Sequence, residues 1–182
     1  MREKRKCPTC KREYRWYYFR SAKNCTVCKK TLCSSIFGGE CIVSLPNEPS
    51  DLCIYIYDEY RNPLCKACCQ RIVEPLQMRL HIARENSSKV RIYSHSYKGK
   101  IPIICDQTTE LICGSYYEDR DEPETILQTT AAYLGFDCIY DFKFTKSSSS
   151  RENTYTDNRG NERTSTYYVT EWGCSGIAAK LK

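Results

Sequence analysis

Three Cys-x-x-Cys pairs, CPTC at 7–10, CTVC at 25–28 and CKAC at 65–68, stand near the start of this chain. Such a turn brings two sulfurs to one point, because the backbone folds back around a single ion. Tetrahedral zinc takes four thiolates or imidazoles. Ten of the fourteen cysteines lie in residues 1–69, and among them Cys33 and Cys41 supply a fourth pair. Cys7/Cys10, Cys25/Cys28, Cys33/Cys41 and Cys65/Cys68 thus make eight ligands, enough for two zinc ions, with two cysteines spare. The count leaves the grouping open. NCTVCKKTLCSSIFGGEC (24–41) either closes Cys25, Cys28, Cys33 and Cys41 on one ion, or feeds two ions in alternation. Alternation ties distant segments together, which a domain with little apolar core needs.

Metal is preferred over disulfides on other grounds. The opening MREKRKCPTC is charged and has no apolar run behind it, unlike a secretory signal. No window approaches the eighteen or so apolar residues of a membrane span. The expectation is a reducing compartment, the cytoplasm, where clustered cysteines bind metal.

The order CxxC, CxxC, four residues, C, C and a final CxxC resembles the FYVE and PHD group of cross-brace (treble-clef) zinc fingers. The resemblance covers about residues 5–75 and implies alternating pairs. Site one would be Cys7, Cys10, Cys33 and Cys41; site two would be Cys25, Cys28, Cys65 and Cys68. FYVE fingers separate the fifth and sixth ligands by fewer residues than the seven here, which leaves Cys53 as an alternative to Cys41. FYVE lipid binding uses a basic segment containing histidine. The corresponding RSAKNCTVC keeps Arg20 and Lys23 but has no histidine, so lipid binding is not carried over. The middle histidine of RING and PHD fingers is absent as well.

Charge is uneven. Residues 1–84 hold 16 Lys/Arg against 8 Asp/Glu, and residues 85–182 hold 12 against 14. Part of the first excess offsets thiolate charge. The rest concentrates around Arg15, Arg20 and Lys23, interleaved with Tyr14, Trp16, Tyr17, Tyr18 and Phe19. Basic groups neutralise phosphates and exposed rings stack on bases. The blander reading, which we prefer, is a hairpin with its rings on a small core.

Nothing points to catalysis. Phosphate loops, nucleophile elbows and paired carboxylates do not stand out. His81 falls on a helical stretch as a surface residue, and His95 in a strand as a structural or exposed one. A closed four-cysteine site has no open coordination position and is structural. Cys105, Cys113, Cys138 and Cys174 are spaced too widely for a knuckle and read as small buried thiols, with a third metal site the lesser alternative. The functional expectation is a zinc-binding interaction or scaffolding protein and not an enzyme. A protein partner comes first, then nucleic acid, then phosphoinositide membrane.

These residues need elements to position them. Residues 1–65 read as knuckles and short hairpins, with DLCIYIYDEY (51–60) as a strand. CKACCQRIVEPLQMRLHIAREN reads as a helix from the spacing of Ile72, Leu76, Leu80 and Ala83, kinked or restarted at Pro75. ENSSK (85–89) reads as the linker between domains at 1–84 and 85–182. In the second domain KVRIYSHSY, KIPIICDQ and ELICGSYYE read as strands. DEPETILQTTAAYLG reads as a helix with Ile126, Leu127, Thr130, Ala131 and Leu134 on one face and Gly135 as its cap. FDCIYDFKFTK is a strand with Cys138, Tyr140, Phe142 and Phe144 on one side. SSSSRENTYTDNRGNER is a flexible loop. STYYVTEWGCSGIAAKLK closes the domain, with a bulge suggested by Gly173 and Gly176. The fold class is a small zinc-stabilised cross-brace finger followed by an α+β domain, a mostly antiparallel sheet with one main helix. AAYLGFDCIYDFKF, the polar loop and GCSGIAAKLK resemble the end of the YbjQ-type domain family, labelled a heavy-metal-binding group, over about residues 90–182. That resemblance implies ring-shaped homo-oligomers.

Overall fold

The computed structural model describes residues 6–7, 9–12, 20–35 and 41–182. The chain divides into two compact units, Met1–Pro49 with Tyr55–Arg79, and Ser50–Ile54 with Leu80–Lys182.

In the first unit, β1 (Arg20–Asn24) and β2 (Thr31–Ser35) form an antiparallel hairpin, with Ala22 opposite Cys33. Two-residue strands β3 (Ile42–Val43) and β4 (Leu64–Cys65) pair next, with Ile42 opposite Cys65. Helix α1 (Lys66–Asn86) follows directly, its residues up to Arg79 counted with this unit and those from Leu80 with the second. Among the described residues the aliphatic core of this unit is small: Leu32, Ile42, Leu64 and Ile72 pack among Cys7, Cys25, Cys33, Cys65 and Cys68.

Residues 51–60 do not form the expected strand; they run as bends and turns. Side chains take up their amides before another strand can. The Glu48 carboxylate accepts Ile56 N–H at 2.9 Å and Tyr57 N–H at 2.7 Å. The Cys53 N–H goes to Thr130 Oγ1 at 3.0 Å. The Asp51 carboxylate receives Arg84 through two nitrogens at 2.5 and 2.9 Å. Pro75 lies inside α1 and does not start a second helix. Burial of Ile72 and Val73 before it, and of Leu80 and Ala83 after it, offsets the roughly 3 kcal/mol that an interior proline costs. The expected linker is also structured. α1 reaches Asn86, and a short 3-10 turn spans Ser87–Lys89.

The second unit is α+β. Its four-stranded sheet has the order β5 (Arg91–Ser94), β7 (Cys138–Thr156), β8 (Glu162–Leu181), β6 (Ile103–Tyr117). β5 runs parallel to β7, and the other two pairings are antiparallel. The two strands expected over 100–118 are one continuous β6. Helix α2 (Asp121–Leu134) covers one face. Asp119 Oδ1 accepts the Asp121 N–H at 2.9 Å at its start. Gly135 ends it at φ 84°, a left-handed conformation that glycine adopts without Cβ strain. Leu134, expected on the buried face, is exposed.

Leu127 is fully buried between α2 and the sheet. Leu127→Ala is expected to cost about 2–5 kcal/mol, since a cavity is left as well as transfer energy lost. Urea unfolding followed through the second unit measures this.

The strand phase after Cys138 departs from simple alternation. Asp141 has φ 53°, and the register gains one residue between Tyr140 and Lys143. The core therefore takes Ile139 and then Phe142, with Phe144 packed beside them, and Cys138 and Tyr140 fall out of step. The bulges sit opposite the glycines and not on β8 itself. Gly176 faces the β7 bulge, where a Cβ would lie 2.5 Å from Ile139. Gly173 faces the irregular part of β6.

The polar stretch after Lys146 is a ribbon, not a loop. β7 and β8 stay paired from Ser147 opposite Glu171 out to Thr156 opposite Glu162. Asp157 closes the turn by accepting the backbone N–H of Arg159 and of Asn161 on Oδ1 and the Arg163 guanidinium Nε–H on Oδ2. Solvent bathes both faces there, so the residues are polar on both sides. Ladder hydrogen bonds and the β-propensity of Thr and Tyr define the strands.

Candidate metal centre

Two knuckles of near-identical construction present the first four cysteines. Cys7 N–H donates to Arg12 C=O at 2.8 Å, and Lys11 N–H returns to Cys7 C=O at 2.9 Å. Cys25 N–H donates to Lys30 C=O at 3.0 Å, and Lys29 N–H returns to Cys25 C=O at 2.9 Å. Both turns place a lysine, Lys11 or Lys29, at φ 61°. A side chain there costs roughly 1–2 kcal/mol, so the tight turn around the sulfurs is imposed by what surrounds it. The doubled pattern Cys-x-x-Cys-Lys-Lys/Arg was the available signal for these positions.

The rest of the fold delivers the other four. Cys33 rides on β2, and the Cys41 N–H reaches back to the Cys33 carbonyl at 3.2 Å. Cys65 ends β4 and Cys68 lies in the first turn of α1, with the Cys68 N–H on Cys65 Sγ at 3.3 Å. The result is two groups: Cys7, Cys10, Cys33 and Cys41, and Cys25, Cys28, Cys65 and Cys68. Within each group all four sulfurs lie within 4.8 Å of one another. Individual separations are 3.8 Å for Cys7–Cys41, 3.4 Å for Cys10–Cys33 and 3.8 Å for Cys28–Cys65. Metal–sulfur bonds near 2.3 Å in a tetrahedron separate sulfurs by about 3.8 Å. Each group can therefore hold a metal ion. The groups interleave along the chain, so NCTVCKKTLCSSIFGGEC contributes two sulfurs to each. Cys53, the alternative to Cys41, lies with the second unit, its thiol directed to Thr130 Oγ1 at 3.4 Å.

The electrostatics suit a cation. Burial works against the Cys7 thiolate, but amides of Cys10, Cys33 and Thr9 outweigh it and lower its pKa to about 6. Cys25 is likewise lowered to about 6, burial being overcome by amides of Cys28, Cys65 and Val27. Burial and neighbouring thiols push Cys33 up, and push Cys41 and Cys68 up to about 12. Four sulfurs this close cannot all carry charge without a cation between them. Metal loading must then expel protons, and affinity must fall as pH falls. Calorimetry in buffers of different ionisation enthalpy is expected to show at least about one proton released per ion; no release would contradict the thiol assignment.

Other expected site residues fall elsewhere. Arg15, Trp16 and Tyr18 lie outside the described residues. Arg20 is described only through its backbone, paired with Ser35, and Lys23 is exposed on β1. His81 is exposed on α1, 3.5 Å from Glu85, and His95 pairs with Asp141. Cys113, Cys138 and Cys174 are buried in the second unit, and the side chain of Cys105 lies outside the description. Among the described residues, only the two groups above gather three or more candidate metal ligands. Among the described residues, no helix is long and apolar enough to cross a membrane. No family model, curated protein or solved structure matches the chain.

Proposed function

We propose that this chain is a zinc-binding interaction or scaffolding protein with two structural ions and no catalytic centre. The observation that carries the reading is the pair of interleaved four-sulfur groups. A tetrahedral four-thiolate set selects zinc or iron among common metals, and zinc needs no redox partner. With four protein ligands each, neither ion has a position open to substrate. The ligand order and alternation favour a FYVE- or PHD-like cross-brace of the treble-clef kind, and the second unit is read as YbjQ-like. A cytoplasmic location goes with reduced thiols.

A protein partner is favoured by the β7–β8 ribbon, which exposes Tyr155, Tyr167 and Tyr168. Tyrosine presents a large amphipathic surface at low entropic cost. Self-association through the same unit is the homo-oligomeric form of this reading, and light scattering of purified protein tests it. The second reading is nucleic-acid or phosphoinositide binding through Arg15, Trp16, Tyr18, Arg20 and Lys23. If it holds, affinity for single-stranded nucleic acid or anionic vesicles falls steeply with salt, and Trp16→Ala weakens it. No binding to either at low salt leaves the protein partner.

A further inference from the structure

A second arrangement of thiols stands outside both metal groups. Cys113 on β6 and Cys174 on β8 are directly opposed in the antiparallel register. Both are buried, 6% and 1% exposed, and the Cys113 thiol lies 3.7 Å from the Ser115 carbonyl. Both face the core beneath α2, where Cys174 Sγ donates to the Pro123 carbonyl at 3.0 Å.

The backbone around them is poised to adjust. Directly opposed residues have Cβ atoms about 4.5–5.5 Å apart, and a disulfide needs about 3.5–4.5 Å. Closure therefore asks for an approach on the order of an ångström. The ladder loosens at this point: its register breaks between Cys113 and Tyr117. Gly114 follows one cysteine and Gly173 precedes the other, and the space beside Gly114 is open.

We propose that Cys113 and Cys174 are a reversible redox pair that closes into a cross-strand disulfide when a peroxide reaches the second unit. Cys113 is the nucleophile. The neighbouring Cys174 thiol, against burial, lowers its pKa to about 7. The neighbouring Cys113, together with burial, pushes the Cys174 thiol up and keeps its proton on. The Cys113 thiolate attacks one peroxide oxygen, the O–O bond breaks, and the departing hydroxide takes up a proton to leave as water. Cys113 is then a sulfenic acid. Cys174 sulfur attacks the sulfenic sulfur, the S–S bond forms and the S–O bond breaks. The second hydroxide leaves as water with the Cys174 proton. Two thiols and one peroxide give one disulfide and two waters, and a thiol reductant reverses the step by exchange.

Cys53 is the natural competitor: the charge of Cys113 raises its pKa, and its own charge raises that of Cys174. Its amide and its thiol are both held by Thr130 Oγ1, and it has no opposed position on either strand. It is therefore the control.

The metal-loaded full chain, titrated with hydrogen peroxide, blocked by alkylation and mapped by mass spectrometry without reduction, tests the proposal. The expected product is one linked peptide pair joining residues 113 and 174, lighter by two hydrogens and lost on treatment with dithiothreitol. Cys53→Ser is expected to retain the link; Cys113→Ser and Cys174→Ser are each expected to abolish it. The wild-type map decides the matter even where a variant fails to fold. Cys113 and Cys174 both recovered as alkylated thiols, at peroxide levels that oxidise other cysteines of the chain, would overturn the proposal. So would a link from either residue to Cys53.

Discussion

Removing the metal with a chelator is expected to unfold the first unit while the second keeps its sheet and α2. The two units differ in what holds them. Leu127, Ile139, Leu111, Phe142 and Ala178 form a continuous core under α2. Among its described residues the first unit has Leu32, Ile42, Leu64 and Ile72 around its sulfurs, and two of the four strands described there are two residues long. A core of that size does not offset the entropy of ordering the chain. Structural zinc sites supply apparent folding energies of about 10–16 kcal/mol, so folding and loading become one event. Hydrogen exchange reads the outcome directly. After chelation, amides of β1 to β4 exchange at once, while those of β6 to β8 stay protected. Elemental analysis of the untreated protein is expected to find two zinc ions per chain. A metal-free protein with disulfides among these eight cysteines would sink the reading, and so would a first unit that keeps its protection after chelation.

Cys33→Ser is expected to lower the metal content from two ions to one and to leave the second group loaded. Cys33 is grouped with Cys7, Cys10 and Cys41, and the other four sulfurs, Cys25, Cys28, Cys65 and Cys68, form the second group. Loss of one thiolate from a closed four-sulfur site removes a charge and a bond that a neutral hydroxyl does not replace. Pairs of substitutions then discriminate the groupings, because residues of one unit act non-additively. Cys10→Ser added to Cys33→Ser costs no further ion. Cys25→Ser added to Cys33→Ser costs both. If instead Cys25→Ser and Cys33→Ser together cost one ion, the stretch 24–41 closes on a single metal and the interleaving is wrong. Native mass spectrometry counts the ions without requiring that each variant be as stable as the parent.

Much of the first unit is legible in the residues themselves. Cys-x-x-Cys spacing is a local property of the turn, so the pairs 7/10, 25/28 and 65/68 are visible without a fold. α2 is equally legible: Asp and Glu gather at its start, Ile126, Leu127 and Ala131 repeat on one face, and Gly135 permits the left-handed end. Short-range periodicity and capping carry that information within one element.

Other features depended on atoms brought from far along the chain. The strand expected over 51–60 has the right residue types. Its amides go to Glu48 and Thr130, acceptors that its own pattern cannot reveal. The ribbon from Ser147 to Thr156 reads as loop because its two faces are equally polar, and only the register with Glu162 to Glu171 makes it strand. The bulge at Asp141 reverses which side of β7 meets the core, and Gly176 on β8 gives it room. The lone thiols of the second unit show the same division. Composition says that Cys113 and Cys174 are small and apolar enough to be buried, but they lie far apart in the chain. Antiparallel pairing of β6 with β8 sets them face to face, because register is decided by the whole sheet and its turns rather than by either strand alone.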